Sequence, residues 1–129
     1  MIGIDTTAII DLFKGEEGVR SVLTNVHEPL VTTQLNYLEI FWGIDRTNTK
    51  HQKEIEYYDA FFDELKTIAL DNYGCKKAAE LFWKLRKDGK NIGKFDCIIA
   101  ALLLSQGVNA IITRNVAEFE RAGMRVIKY

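Results

Sequence analysis

The chain contains few of the residues on which several protein classes depend. One proline and nine glycines among 129 residues leave no stretch that resembles a disordered or fibrous sequence. The only cysteines, Cys75 and Cys97, form neither a CxxC pair nor a zinc-binding pattern with His27 and His51. We therefore expect free thiols and assign no chemistry to the cysteines or the histidines.

Long apolar runs are also absent. The longest covers residues 97–104, and the polar sequence that follows ends it far short of the roughly 20 residues that a membrane span needs. This run predicts a buried helix and no membrane partner. The opening residues, MIGID, lack the basic and apolar segments of a secretory signal, so we expect a cytoplasmic protein.

Neither sign of charge is in excess. The formal net charge is -1 and the isoelectric point is near 6.1, which does not suggest a protein that coats nucleic acid through bulk positive charge. Binding of nucleic acid would need local basic patches. With 47% hydrophobic and 27% charged residues, the chain is expected to form a single domain over 1–129, with a core that needs no disulfide or structural metal.

Short apolar runs alternate with longer segments of helical periodicity. This β-α alternation predicts an α/β fold with a mostly parallel sheet and helices on both faces, because parallel strands need long crossover connections. The expected strands are residues 1–4, 30–31, 67–70, 110–113 and 125–127.

Two of the intervening segments carry apolar stripes at helical spacing. The first stripe lies within residues 52–65 and consists of Ile55, Tyr58, Phe61, Phe62 and Leu65. The second consists of Ala78, Leu81, Phe82 and Leu85. Asp71 or Asn72 is expected to cap the second helix. Aromatic residues at such spacing more often indicate a core or a dimer face than a surface for stacking bases.

Four oxygen-bearing side chains could meet at one edge of the predicted sheet. Ligands of open parallel sheets bind beyond the carboxyl ends of the strands, where the chain order reverses. Asp5 directly follows the first strand and Asn115 lies two residues past the 110–113 strand. Glu39 and Asp96 are on helices that could reach the same crevice. Because Mg²⁺ prefers several oxygen ligands, the four residues form a candidate metal site.

Each of these residues also has a purely structural interpretation. Asp5 could be a helix N-cap, Glu39 an exposed helix residue, Asp96 a charge in a first helical turn and Asn115 a turn residue. However, Glu39 is surrounded in the sequence by apolar residues, and Asp96 is followed directly by the 97–104 run. A carboxylate in an apolar neighbourhood needs compensation, and a shared metal ion would provide it for both.

Three motifs resemble those of one known family. GIDTTAIIDLFKG is similar to the opening motif of PIN-domain nucleases, in which an aspartate ends the first strand. TTQLNYLEIFWG resembles the family's helix with a glutamate before a glycine, and NIGKFDCIIAALLLSQGVNAIITRNVAEFER resembles its aspartate-bearing helix followed by a strand and TRN. The ending, AGMRVIKY, resembles that of VapC-type toxins. The motifs span nearly the whole chain in family order.

The resemblance implies a PIN-like three-layer α/β/α fold with a central parallel sheet of four or five strands. It also implies a ribonuclease dependent on Mg²⁺, for which Mn²⁺ substitutes. Asp5, Asp96 and Asn115 would hold the metal, and Glu39 would ligate it or position the attacking water. Asn115 stands where many relatives have a fourth acid, which puts a second metal position in doubt. The implied partners are RNA, a cognate antitoxin and a second copy of the chain.

Neighbouring residues are candidates for supporting roles. Thr6 and Thr113 could orient a carboxylate or hold a metal-bound water, or else form local turn and cap bonds. Lys90, Lys94 and Arg114 flank the acids and could contact phosphates, or simply form a solvated face. The remaining acids of interest are expected to be helix-surface or capping residues: Asp11, Asp71, Glu80 and Glu118.

Three alternative functions stay open. A phosphatase of the haloacid dehalogenase type also has an aspartate after its first strand, but its motif needs a second aspartate where this chain has Thr7. The chain could also be an RNA-processing PIN nuclease with no role as a toxin. The third alternative is a scaffold that binds RNA or a partner without cleaving, which the retained acids argue against.

Overall fold

The computed structural model describes all 129 residues, and its strands and helices alternate along the chain. The strands are β1 (Ile2–Ile4), β2 (Leu30–Thr33), β3 (Lys66–Ile68), β4 (Ala110–Ile112) and β5 (Arg125–Ile127). The helices are α1 (Thr6–Phe13), α2 (Glu17–Asn25), α3 (Gln34–Trp42), α4 (Gln52–Asp63), α5 (Asn72–Lys87), α6 (Lys94–Ser105) and α7 (Val116–Arg121). A short 3-10 turn, Thr49–His51, leads into α4.

The five strands form one parallel sheet in the order β3-β2-β1-β4-β5. The predicted parallel sheet of four or five strands is therefore confirmed. The chain builds outward from β1 in one direction through β2 and β3, then returns to add β4 and β5 on the other side. The order thus reverses between β1 and β4, which places the expected ligand crevice beyond the carboxyl ends of these two strands.

Four predicted strands have different bounds in the structure, by one residue at β1 and β4 and by more at β2 and β3. β2 continues to Thr33, because its threonines are buried and Thr32 donates a hydrogen bond to the carbonyl of Ile4 at 3.1 Å. β3 begins at Lys66 and ends at Ile68, two residues earlier than expected. The apolar residues at 67–70 predicted a buried segment, but β3 is limited to the residues that pair with β2, which are Lys66 to Ile68.

Successive side chains along a strand point to opposite faces of the sheet, and each face contributes to a separate hydrophobic core. Ile4 and Ile112 pack with residues of α1 to α4, whereas Val31 and Ile111 pack with residues of α5 to α7. The molecule thus has three layers, with the sheet in the middle, and the predicted α/β/α arrangement is confirmed. No helix has the length and apolar character that crossing a membrane would require.

Helix α6 lies directly against the central strand. A methyl group at Gly3 of β1 would come within 2.9 Å of the Leu103 side chain, so the glycine permits this close approach. Most side chains of residues 97–104 are buried, as predicted from their apolar run. Because Asp96 immediately precedes that run, the packing of α6 positions its carboxylate at the edge of the sheet.

The predicted helical stripes and cap are also present. Asp71 caps α5 by accepting a hydrogen bond from the backbone N–H of Gly74 at 2.7 Å. Helix α4 ends at Asp63, two residues before the end of the predicted segment. Its aromatic residues pack inside the domain, with the ring of Tyr57 at 4.8 Å from that of Phe13. Packing, rather than base stacking, therefore accounts for the aromatic residues of α4.

The prediction that Asp11 lies on the helix surface or caps a helix is wrong. Asp11 is 5% exposed, and its Oδ2 atom accepts a hydrogen bond from Tyr129 Oη at 2.6 Å and forms an ion pair with Arg114 Nε at 2.7 Å. Burial, followed by the hydrogen bond and negative charge of Asp11, raises the pKa of Tyr129. This network fastens the end of the chain to α1, a contact between residues 118 positions apart.

We predict that Tyr129→Phe destabilises the protein by about 1–2 kcal/mol, because it removes one hydrogen bond to a buried carboxylate that keeps its Arg114 partner. A thermal melt should show a loss of several degrees. The matched control is Tyr73→Phe, whose side chain is exposed and makes no such bond. Equal melting temperatures for the two variants would contradict the role assigned to Tyr129.

Candidate active site

Asp5 lies at the carboxyl end of β1, where it is almost fully buried. It occupies the N-cap position of α1, yet its side chain makes no capping hydrogen bond. Instead, Oδ1 accepts from Asn36 Nδ2 at 3.0 Å, and Oδ2 accepts from the hydroxyls of Thr113 at 2.7 Å and Thr7 at 3.2 Å. The Asp5 carboxylate is therefore held by Asn36 of α3, Thr7 of α1 and Thr113 just after β4, and it does not cap α1.

Burial and hydrogen bonding act on Asp5 in opposite directions. Burial raises its pKa, because the charged form loses solvation. The hydrogen bond from Thr113 is the largest of the contributions that lower it. Thr7 was considered in the sequence only as the residue that replaces a second aspartate. In the structure, its hydroxyl contacts Asp5 and also accepts a hydrogen bond from the backbone N–H of Arg114 at 3.0 Å.

Asn36 was missed in the sequence, although it orients Asp5. Thr33 caps α3, and its hydroxyl and backbone N–H both donate to Asn36 Oδ1, at 2.7 and 3.1 Å. With its oxygen occupied in this way, the fully buried Asn36 side chain directs its amide nitrogen at Asp5. The spacing Thr-x-x-Asn at the start of a helix resembles a capping box and was the available signal.

Glu39 is linked to the same group of residues through Thr6. The Thr6 hydroxyl donates to Glu39 Oε1 at 2.7 Å and accepts from Asn36 Nδ2 at 3.1 Å. Burial raises the pKa of Glu39, the hydrogen bond from Thr6 lowers it, and the charge of Asp5 raises it further. Glu39 is therefore partly buried beside another acid and is not a freely solvated helix residue.

Asp96 is the third residue of α6 and faces the other acids. Burial, followed in order by the negative charges of Asp5, Glu118 and Glu39, raises its pKa to about 7. The side chain of Asn115 lowers the pKa. The structure therefore brings Asp96, Asp5 and Glu39 into one region of negative charge, with Asn115 beside it.

Glu118 joins this region, although it was expected on the helix surface or in a cap. It lies in α7, and its Oε2 atom accepts a hydrogen bond from the backbone N–H of Gly93, the N-cap of α6, at 2.8 Å. Asn115 precedes α7 and its N–H donates to Thr113 Oγ1 at 3.0 Å. The Glu118 carboxylate thus follows the Asn115 amide by three residues, about one helical turn.

The donor set suits a hard divalent cation. Asp5, Glu39, Asp96 and Glu118 supply carboxylate oxygens, which Mg²⁺ and Mn²⁺ prefer, and no sulfur or imidazole ligand lies among them. As the side chains stand, no three acids, histidines or cysteines are close enough together to hold one ion. Neighbouring carboxylates repel each other, so this arrangement would gain stability from a cation between them.

The predicted basic residues are arranged unevenly around the acids. Lys90 and Lys94 are exposed before and at the start of α6. Arg114 is also exposed, but its Nε atom pairs with Asp11, so part of its charge is already compensated. All three are accessible to a polyanion, and Arg114 is the one whose position is fixed by a buried partner.

Comparison with known proteins places this geometry in a family. The PIN domain family model matches residues 2–123. The chain belongs to the PIN domain family. The resemblance inferred from the three motifs is therefore confirmed over nearly the whole PIN domain.

Individual relatives agree with this assignment. A VapC ribonuclease from Sinorhizobium fredii is 29% identical over 138 aligned positions, covering 98% of this chain and 96% of the relative. The tRNA(fMet)-specific endonuclease VapC of Shigella flexneri is 22% identical over 121 positions, covering 93% and 90%. Both alignments run through almost the entire PIN domain.

Solved structures share the fold. A VapBC complex from Rickettsia felis, bound to a promoter DNA fragment, matches with a TM-score of 0.83 and 19% identity, covering 100% of this chain and 99% of that one. DNA-bound VapBC from Salmonella typhimurium matches with a TM-score of 0.82 and 20% identity, covering 99% and 98%. At such low identity these matches establish the PIN fold alone.

The raised pKa of Asp96 predicts how pH changes the stability of the metal-free PIN domain. Asp96 has a pKa of about 7 in the folded state, against an ordinary value of 3.8, so the folded protein holds this proton more tightly than the unfolded chain. The resulting contribution to stability is fully present below pH 3.8 and is lost as the pH rises through about 7. Asp96→Asn removes this dependence. In EDTA at pH 8, the variant should be more stable than the wild type by about 1 kcal/mol.

Thermal melts from pH 4 to pH 8 measure this difference. The matched control is Asp88→Asn, because Asp88 is exposed at the end of α5 and makes none of these contacts. A large drop in melting temperature for Asp96→Asn at pH 8, with none for Asp88→Asn, would mean instead that Asp96 is a structural cap.

Proposed function

We propose that this PIN domain is a metal-dependent ribonuclease that hydrolyses phosphodiester bonds in RNA. The observation that carries the proposal is the meeting of Asp5, Glu39, Asp96 and Glu118 where the strand order reverses. Each acid has a hydrogen-bonding partner, but besides burial the charge of Asp5 raises the pKa of Glu39, and the charges of Asp5, Glu118 and Glu39 raise that of Asp96. Such crowding of like charges is typical of sites that bind a cation and a substrate.

The residues that would hold Mg²⁺ or Mn²⁺ are Asp5, Asp96 and Asn115, directly or through water, with Glu118 as a further oxygen donor. When bound, the ion supplies Lewis-acid chemistry, which makes water a better nucleophile near neutral pH and offsets charge on the phosphate oxygens. A histidine or serine nucleophile is then unnecessary. Water attacks phosphorus directly, so the product keeps a 5′-phosphate and no 2′,3′-cyclic intermediate forms.

The chain's own side chains orient the groups that react. Asn36, Thr7 and Thr113 hold the buried Asp5 carboxylate in one orientation. Thr6 occupies Oε1 of Glu39, which leaves Oε2 to accept a hydrogen bond from the attacking water. Glu39 thereby ligates or positions that water, and its raised pKa suits it to take up the proton.

RNA as the substrate is supported by the names of the relatives. One is described as a VapC ribonuclease and another as a tRNA(fMet)-specific endonuclease. The basic residues Lys90, Lys94 and Arg114 would contact phosphates of the strand on either side of the cleaved bond. An RNA-processing nuclease without a toxin role is the nearest alternative, because the site chemistry would be the same.

A toxin role is supported by the structures that share the fold, which include VapBC complexes and a toxin–antitoxin complex from Klebsiella pneumoniae. We infer that an antitoxin inhibits this chain through the acids. An arginine side chain carries a fixed charge and pairs with carboxylates through two hydrogen bonds, so it could occupy the metal position. Pairing of two copies of the chain is a further prediction from the family resemblance.

We predict that the purified protein cleaves single-stranded RNA in Mg²⁺ or Mn²⁺, stops in EDTA and recovers when metal is restored. Asp5→Asn and Asp96→Asn should each lower the cleavage rate by at least about 100-fold, because they remove metal ligands while leaving the fold intact. Asp88→Asn is the control and should cleave normally. Full activity in EDTA would exclude the metal mechanism, and near-normal activity of either variant would exclude that residue.

The toxin role has its own test, by expression in a bacterial host. Wild-type protein should arrest growth, Asp5→Asn should not, and co-expression of a cognate antitoxin should restore growth. Asp5→Asn should also weaken the complex with the antitoxin, because one of the carboxylates that attract its arginine is lost. Normal growth with abundant soluble wild-type protein, in a host whose RNA it cleaves in vitro, would reject the toxin and retain the nuclease.

A further inference from the structure

Two aromatic rings stack at the edge of the acidic site. Trp42 is the last residue of α3 and Phe95 is the second residue of α6. Their ring centroids are 5.3 Å apart and their planes differ by 20°. Trp42 is nevertheless 67% exposed, the largest exposed fraction among the large hydrophobic residues that reach the surface. Phe95 therefore supports the indole without covering it.

The pair lies next to the acids because of its positions on two helices. Trp42 follows Glu39 by three residues, which places the two side chains on neighbouring positions of the α3 surface. Phe95 directly precedes Asp96 in α6. Contact between the two rings thus joins the end of α3 to the start of α6, the two helices that carry Glu39 and Asp96.

The exposed indole presents an open flat surface. One side of Trp42 meets Phe95 in a nearly parallel stack, so the other side is free for a second planar group. An open aromatic face of this kind can stack against a nucleobase, whatever the base.

The other exposed tryptophan, Trp83, has a different setting. It lies on α5 and is 55% exposed, but its ring is approached by the guanidinium of Arg86 at 5.6 Å, and it lies next to none of the four acids in the sequence. Trp83 is accordingly a matched control for effects that an exposed tryptophan could have by its hydrophobicity alone.

We propose that Trp42, supported by Phe95, stacks against a nucleobase adjacent to the phosphate that is cleaved. This inference rests on the proposed ribonuclease function and specifies how its substrate is positioned. It requires a single-stranded substrate, since the bases of a duplex already stack on one another and are not available to a side chain. Stacking tolerates any base, so Trp42 contributes to affinity and position more than to sequence choice.

Tryptophan fluorescence tests the contact directly, because the chain has only two tryptophans. Trp83→Phe leaves Trp42 as the only reporter, and Trp42→Phe leaves Trp83. Both are placed in an Asp5→Asn background with Mg²⁺, so that RNA is not cut. Titration with a short single-stranded RNA of randomised sequence should quench Trp42 saturably and leave Trp83 unchanged. Absence of quenching of Trp42, or equal quenching of both, would overturn the proposal.

Kinetics on the same RNA tests whether the contact matters to cleavage. Trp42→Ala should raise KM about tenfold, with a smaller effect on kcat, because a stacked base binds more weakly when the indole is removed. Trp42→Tyr should restore most of the affinity, which separates stacking from a loss of folding. Trp83→Ala should cleave with unchanged KM.

The outcomes for Trp42 and for the nuclease can be told apart. A normal KM in Trp42→Ala would reject the stacking proposal, whereas cleavage by the wild type would still support the ribonuclease function. Saturable quenching of Trp42 by RNA that the wild type fails to cleave would support stacking and reject the nuclease. If Trp42→Ala instead changes the mass of the protein in solution and leaves KM unchanged, the indole is a protein–protein contact and the proposal fails.

Discussion

The structure depends on the burial of one carboxylate. Asp5 lies at the end of the central strand, and burying its charge would be costly without hydrogen-bond donors. Thr7, Asn36 and Thr113 supply them from three different parts of the chain. The ends of β1 and β4 and the start of α3 must therefore adopt their observed positions together.

Crowding of acids around Asp5 sets the chemistry of the site. The carboxylates of Asp96, Glu39 and Glu118 lie near enough to Asp5 or to one another to raise pKa values, so each charge makes the next one less favourable. Stability is sacrificed for function in such clusters. Any partner that brings positive charge relieves the repulsion. In the function proposed above, a divalent cation and an arginine side chain would both relieve this repulsion, and catalysis and inhibition would then depend on the same acids.

Much of this arrangement was predictable from the sequence because it depends on local patterns. The alternation of short and long segments indicated a parallel sheet, and the apolar run 97–104 indicated a buried helix. A cap at Asp71 or Asn72 was expected from the sequence, and Asp71 is the residue that caps α5. The motifs around Asp5, Glu39 and Asp96 indicated the PIN family, which the match over residues 2–123 confirms. Each of these features is determined within a few residues of the chain.

Other features depended on contacts between distant residues, and these the sequence left undecided or wrong. The partners of Asp5 include Thr113, 108 positions away, and Asp11 is buried by Tyr129, 118 positions away. A glutamate in a short polar helix is expected on the surface, but the packing of α7 against the start of α6 brings Glu118 close to the other acids. The sequence by itself thus determined the fold class, the protein family and the candidate acids, because periodicity and motifs are local. Tertiary structure alone decided which hydroxyls and amides hold those acids and which tryptophan stays exposed beside them, because burial is a property of the whole packed chain.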